Sequence, residues 1–383
     1  MCDILKHTIM KTGDKIMKKI HRTLSLFTAA AVCTALLCSC GEVPDSSQND
    51  SSSKAATTTT ADTTADTTTA GEASSTASAT SAPDSSVSDS SSAVMDDTKT
   101  NGITPAMWKV TSPEGNTMVM LGSFHALKDE CYPLPEAVTN AYDNADILAV
   151  ECDITSTSED GEYMKNLMKQ MLYNDNTKLS QHISEEAYSA LQTYLGYWGM
   201  DISALEVYRP WAVSSTLDTL LIQDSDFDTE KGLDNFLLTT AHADGKEIYE
   251  VESVDFQMNM LINFSDDIYD LMFRSYEGET KESQKQALED LYTAWKSGDI
   301  ETFLEEDNEE ELAGYTEEDK KIAEDYNNQM LYDRNKNMAK AAEDLMSQGK
   351  NVFYVVGAAH YAGEGGIIDL LEKDGYTAER VQY

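Results

Sequence analysis

Four histidines follow residue 40 of this chain, and two of them share a context. His125 closes the run Met118-Val119-Met120-Leu121-Gly122-Ser123-Phe124-His125, and His360 closes Val352-Phe353-Tyr354-Val355-Val356-Gly357-Ala358-Ala359-His360. Each run is apolar and β-prone and ends in Gly-x-x-His. It reads as a buried strand, with glycine free to turn and an imidazole just beyond. In open α/β sheets, ligands sit outside the carboxyl ends of the strands. A third apolar run, Ile147-Leu148-Ala149-Val150, ends in Glu151. Two imidazoles and one carboxylate make an open divalent-metal set with positions left for water and substrate. Such an ion lowers the pKa of bound water and polarises a carbonyl. Glu151 could instead stand outside the ligand set as general base, and a metal-free site in which a histidine activates water uses the same residues. Spacing does not separate these. His182 and His242 fall in helical or loop stretches and read as surface residues.

The elements between these residues follow from pattern. Trp108-Lys109-Val110 and Thr117 to Leu121 flank the turn cluster Ser112-Pro113-Glu114-Gly115-Asn116, so a hairpin carries His125. A helix is expected from Pro135, and the strand ending in Glu151 follows it. Strand, helix, strand is the rhythm of a parallel sheet and places the Glu151 strand beside the His125 strand. The middle of the chain is helical. Met164, Leu167, Met168, Met171 and Leu172 form a stripe at helical spacing that reads as core. Ser184 reads as an N-cap with Ile183 and Tyr188 as a staple, and Thr316 with Asp319 as a capping box. Further helices are expected from Gly232-Leu233-Asp234 to near Gly245, through Phe256, Met260 and Leu261, and along the acidic stretch from Lys281 to Glu311. A long helix from Thr316 to about Gln348 carries Arg334-Asn335. Short strands are expected over Glu247 to Glu252 and before Val381. The fold class is α/β: a central, mostly parallel or mixed β-sheet with flanking helices and a large helical insertion.

Acidic residues outnumber basic ones, 68 to 28, for a formal net charge of -40 at pH 7. Such a surface does not suit nucleic acid, whose affinity comes largely from Lys and Arg on phosphates. Lys18, Lys19, His21 and Arg22 precede an apolar run from Leu24 to Leu37, a secretory signal too short for a spanning helix. Met17-Lys18-Lys19 is itself a good signal start. The segment ends at Leu37-Cys38-Ser39-Cys40-Gly41, which resembles the lipobox of bacterial lipoproteins; the resemblance implies a lipidated Cys40 and a membrane anchor on the extracellular face. Residues 41–101 are mostly Ser, Thr, Ala and Asp, the composition of a spacer that buries little. The expected organisation is therefore 1–40 signal with lipobox, 41–101 spacer and 102–383 folded domain. Only Cys131 and Cys152 fall in that domain, where they could pair in an oxidising compartment or simply pack.

From Trp108 onward the chain resembles the TraB/GumN family, which includes the Tiki metalloproteases. The resemblance is carried by Gly122-Ser123-Phe124-His125, Leu148-Ala149-Val150-Glu151, Tyr208-Arg209-Pro210-Trp211 and Gly232-Leu233-Asp234. It continues through Gly245-Lys246, Glu250-Val251-Glu252 with Gln257, Arg334-Asn335 and Gly357-Ala358-Ala359-His360 with Gly363. Glu250-Val251-Glu252 stands where Leu-Glu-Thr is commoner in the family. The resemblance implies a fold shared with erythromycin-esterase and ChaN-like proteins, with His125, Glu151 and His360 as the active centre and metal ligands. It implies an Mn2+- or Co2+-dependent peptidase acting on a peptide or protein. Arg209, Asp234, Glu252, Arg334 and Asn335 match further family positions; an arginine there either binds a substrate carboxylate or oxyanion or pairs with Asp234 or Glu252. Two other readings stay open: a non-catalytic lipoprotein that binds a peptide such as a pheromone, and a metal-free, esterase-like hydrolase.

Overall fold

A computed structural model describes residues 102–155, 161–304 and 315–383. The signal, Cys40, the spacer and the end of the acidic stretch at Glu311 lie outside the described residues.

β1 (Met107–Thr111) and β2 (Thr117–Ser123) form the expected antiparallel hairpin. Its turn needs Gly115, which stands at φ 92°, a conformation open to glycine. β3 (Ile147–Val150) and β5 (Val352–Gly357) are buried throughout, whereas β4 (Glu247–Glu250) and β6 (Thr377–Arg380) are mostly exposed. The sheet order is β4-β3-β5-β2-β1-β6. The pairs β4·β3, β3·β5 and β5·β2 are parallel, and β1 joins β2 and β6 antiparallel. The near-continuous apolar runs of β3 and β5 are those of strands covered on both faces.

One expectation is corrected here. The strand leading to Glu151 is not beside the strand leading to His125; β5 lies between them. Adjacent strands in sequence need not be neighbours in space, and periodicity carries no strand order. The result is a sheet centre made of β3, β5 and β2. Ser123 lies level with Gly357, and Val150 with Val355.

Helices α1 (Glu136–Asp143), α2 (Gly161–Gln170), α3 (Glu185–Tyr197), α4 (Pro210–Gln223) and α5 (Leu233–Asp244) precede β4. Between β4 and β5 come α6 (Val254–Asn263), α7 (Asp266–Arg274), α8 (Lys281–Ser297), α9 (Glu317–Asn327) and α10 (Asp333–Met346). α11 (Ile367–Lys373) follows β5. Pro135 caps α1 rather than opening it. Ser184 caps α3 by accepting from the Ala187 N–H, and Thr316 with Asp319 forms the capping box of α9. The expected long helix to Gln348 is interrupted: a π-helical turn, Asn328–Tyr332, joins α9 to α10. Such turns widen the helix by a residue and frequently mark functional sites; this one directly precedes Arg334-Asn335.

The methionine stripe is only partly core. Met164, Leu167 and Met171 are buried, while Met168 and Leu172 are 49% and 41% exposed: Met168 lies off the core face of α2, and Leu172 lies past the end of that helix, in a bridge with Tyr208. Cys131 and Cys152 are both buried free thiols. Cys131 lies 3.1 Å from the Tyr292 hydroxyl, and Cys152 donates to Gln257 Oε1 at 3.4 Å.

Candidate active site

The four parallel strands release four chemical groups at the same edge of the sheet. β2 leads to His125, β3 to Glu151, β4 to Glu252 and β5 to His360. Pairing continues past the strand ends, where the Glu252 N–H donates to the Glu151 carbonyl at 2.8 Å. The two acids are thereby held side by side. Gly357 is the point on which the site converges. A Cβ there would lie 3.1 Å from Glu151 Oε1, 3.7 Å from His125 Nε2 and 3.6 Å from His360 Cδ2. The contact with Glu151 Oε1 is the tight one, so the missing side chain lets that carboxylate approach the Gly357 backbone, with both rings at van der Waals range.

Glu151 and Glu252 would repel without a counter-charge, and Arg334 supplies it. Its Nε and Nη2 donate to the two oxygens of Glu252, both at 2.8 Å, and Nη2 also donates to Glu151 Oε2 at 2.6 Å. The Gln257 amide donates to Glu151 Oε2 and Glu252 Oε2, each at 2.9 Å. The Gly357 N–H donates to Glu151 Oε1 at 2.7 Å. Burial alone would raise the Glu151 pKa. The Arg334 guanidinium, both imidazoles and the Gly357 N–H outweigh it and hold the carboxyl well below the usual range. Buried ions need such complete partnering, because desolvation otherwise exceeds the Coulombic gain.

The two imidazoles are oriented alike and charged differently. His125 Nδ1 donates to Asp234 Oδ2 at 2.8 Å, and His360 Nδ1 donates to Asn335 Oδ1 at 2.6 Å. Asn335 is fixed in turn by donating to the Gly365 carbonyl at 2.9 Å. With Nδ1 engaged, His125 presents Nε2 toward Gly357, and His360 presents Nε2 toward Glu151 Oε1. Burial opposes charge on His125, but Asp234 and Glu151 outweigh it and raise its pKa to about 9. His360 goes the other way, to about 3, because burial and the Arg334 charge both disfavour its cation while Glu151, 3.8 Å from Nε2, only partly compensates. At neutral pH one ring is a proton donor and the other a lone-pair acceptor. Paired titratable groups with pKa values pushed apart are the mark of an acid and its base.

Asp234 reaches His125 because α5 starts against the His125 backbone. A Cβ on Gly232 would lie 2.2 Å from the His125 carbonyl oxygen, and the Leu233 N–H donates to the Phe124 carbonyl at 3.0 Å. Seven of the eight expected site residues, His125, Glu151, His360, Asp234, Glu252, Arg334 and Asn335, form this one network. Arg209 does not join it: it caps α4 and donates to the Ile262 carbonyl at 3.1 Å. Arg334 makes the expected buried ion pair with Glu252; Asp234 pairs with His125 instead. His242 is exposed and lies 2.8 Å from Asp153, while His182 is half-buried at 2.8 Å from Asp266.

Residue types and spacing did not give Gln257 its role. Its signal is the Ser253 N-cap, which fixes the phase of α6 and turns Gln257 back toward Glu151 and Glu252. Ser123 and Asp218 were also missed. Both line a cavity that shares His125 and Gly357 with the network, and the signal for Asp218 was a lone acid in the apolar run of α4.

The site's fitness for a divalent ion can be judged from its donors. Two histidines with Nδ1 held by a carboxylate and an amide, and Nε2 free, have the outer-shell support metal ligands require. Glu151 is less available, since its oxygens already accept from Arg334, Gln257 and Gly357. Among the described residues no three His, Cys, Asp or Glu side chains gather as a complete metal set. The fit is that of a two-histidine site.

The sequence pattern of the TraB/PrgY/gumN family matches residues 106–380. An uncharacterized Escherichia coli protein, YbaP, is 26% identical over 157 residues, which is 41% of this chain and 56% of that protein. A metalloprotease TIKI homolog of Nematostella vectensis is 26% identical over 276 residues, 61% of this chain and 58% of that protein. Metalloprotease TIKI2 of Danio rerio is 25% identical over 164 residues, 38% and 32% of the two chains. The matched region thus spans little more than half the length of the first two of these relatives. No solved structure matches the chain.

Proposed function

The chain belongs to the TraB/PrgY/gumN family, and from that premise we propose that its folded domain is a hydrolase that cleaves peptide bonds. The observation that carries this reading is the convergence of two oppositely tuned imidazoles on Gly357 above the Glu151–Arg334 pair. The similarity to proteins named metalloproteases supports the choice of peptide as substrate.

In this reading His360 is the base. Its Nδ1–H is committed to Asn335, so the neutral ring offers Nε2 to the proton of an attacking water. Glu151, held ionised by Arg334, stabilises the imidazolium that forms. His125, protonated beside Asp234, gives its Nε2 proton to the leaving amine. Asp234 and Asn335 act as positioning residues that set ring orientation. Arg334 gives Nε and Nη2 to Glu151 and Glu252 and Nη1 to the Met330 carbonyl, so its role is to maintain the charge of the two acids rather than to bind an oxyanion. A divalent metal such as Mn2+, when bound, would take the Nε2 atoms of His125 and His360 and supply Lewis acidity toward water and carbonyl. Binding there would displace the proton that Asp234 favours on His125.

We also propose that the domain is held at the extracellular face of the membrane through a lipid on Cys40. The support is the basic region, apolar run and Leu37-Cys38-Ser39-Cys40 of the sequence.

The test is cleavage of a mixed peptide library by the full chain, read by mass spectrometry as new termini. His125→Ala and His360→Ala should each lower cleavage by at least about 100-fold. Equal cleavage by the variants removes the proposal. Running the same assay after chelation and after adding Mn2+ separates the metal-assisted form from acid–base chemistry by the two rings alone.

A further inference from the structure

The cavity lined by Ser123 and Asp218 beside His125 and Gly357 has about 500 Å³ of atom-free space including its mouth. Its wall is apolar, built from Phe124, Leu221, Ile222 and Leu288. His125 stands at its edge, already paired with Asp234, and two further polar side chains break that wall. Asp218 is 5% exposed and Ser123 is 2% exposed, and among the described residues neither Asp218 Oδ2 nor Ser123 Oγ has a hydrogen-bond partner. Nothing in the site chemistry uses either residue. Buried polar atoms are nearly always paired, so two orphans facing one cavity call for a ligand.

The chemistry of the pair selects that ligand. A carboxylate oxygen accepts, and a hydroxyl can accept as well, so the missing group is a donor. A charged donor gains more from a carboxylate than a neutral one does. Guanidinium presents five N–H donors in a rigid plane, more than two acceptors in a narrow apolar cleft can satisfy, whereas an ammonium is a compact point charge. The apolar wall suits the methylenes of such a group.

We propose that this cavity is a recognition subsite for a primary alkylammonium group, with Asp218 as its counter-ion and Ser123 as a second acceptor. On the peptidase reading, on which the assignment rests, the ammonium is a lysine side chain or the free amino terminus of the substrate. Burial raises the Asp218 pKa well above the ordinary value, so burial favours the protonated acid in the free subsite and an entering cation favours the carboxylate.

Calorimetric titration of the full chain tests this with three probes. Nα-acetyl-lysine methylamide carries only the side-chain ammonium, alanine methylamide only the terminal one, and Nα-acetyl-norleucine methylamide neither. One ammonium probe should bind at least about tenfold tighter than the norleucine probe, and which one does so identifies the source. Asp218→Asn, checked for folding by its melting curve, should abolish the preference. Independently of any variant, binding to the unaltered chain, measured across pH in buffers of different ionisation enthalpy, should release protons over part of that range. Equal or absent binding of the three probes, a preference that survives Asp218→Asn, or binding without proton release overturns the assignment. Because the readout is binding, a chain that captures the amine without cutting peptides sinks the peptidase reading and leaves the subsite standing.

Discussion

Gly357 shows how much of the site depends on an atom that is not there. Its φ of -51° is open to any residue, so alanine fits the backbone. The added Cβ would enter the space shared by Glu151, His125 and His360. Gly357→Ala should therefore keep the melting temperature within a few degrees while lowering peptide cleavage at least about 100-fold; paired melting and cleavage measurements check both halves. Asp218 makes the opposite kind of prediction, on stability. Its folded-state pKa is raised, so above the unfolded value of about 3.8 the folded chain keeps a proton that the unfolded chain has lost. Stability then falls as pH rises through that window. Asp218→Asn removes the titration, so it should stabilise the fold at pH 7, with the gain vanishing below about pH 4 in melting curves recorded across pH. Much of the residue chemistry was legible in sequence. His125, Glu151 and His360 stand at strand ends and announce themselves by type and context. Gln257 and Asp218 do not, because their roles depend on which way a helix faces.

Elements decide which residues meet. The hairpin, the buried strands and most helix starts could be read from turn clusters, apolar runs and caps. The insertion of β5 between β2 and β3 could not, because the hydrophobic pattern of a buried strand says that it is covered and not by which neighbours. That insertion is what brings His360 between His125 and Glu151. The π turn before α10 was equally illegible, since no residue type marks it. Arg209 stands apart from the network in a way sequence does not show: Arg-Pro at a helix start serves as well for a cap as for a site. The start of α5 is the element most exposed to a single change. Gly232 brings it within reach of the His125 backbone, and a Cβ would sit 2.2 Å from backbone oxygen, which has no rotamer with which to yield. Gly232→Ala should push α5 away, lengthen the Asp234–His125 bond and destabilise the domain by about 1–3 kcal/mol. Chemical denaturation measures that cost. A histidine NMR titration should show the His125 pKa falling toward its ordinary value as Asp234 withdraws. An unchanged His125 titration would mean that Asp234 is not what holds its proton.

At the scale of the whole molecule, the candidate site lies within the described residues, and the proposed anchor is Cys40. The described helices include none long and apolar enough to cross a membrane; the proposed attachment is through Cys40. One acyl chain binds a membrane only marginally, whereas two hold it stably, and the lipobox resemblance implies a diacylated cysteine. Cys40→Ser should therefore move the protein from the membrane fraction to the soluble or secreted fraction, read by fractionation and by the mass of the mature amino terminus. Cleavage measured on detergent-released wild type and on the variant should agree within about twofold, because no residue of the candidate site precedes His125 in the chain. A variant that stays in the membrane fraction would show that something other than this cysteine holds the chain there. A variant that leaves the membrane and also loses cleavage would show that the domain works only where it is anchored.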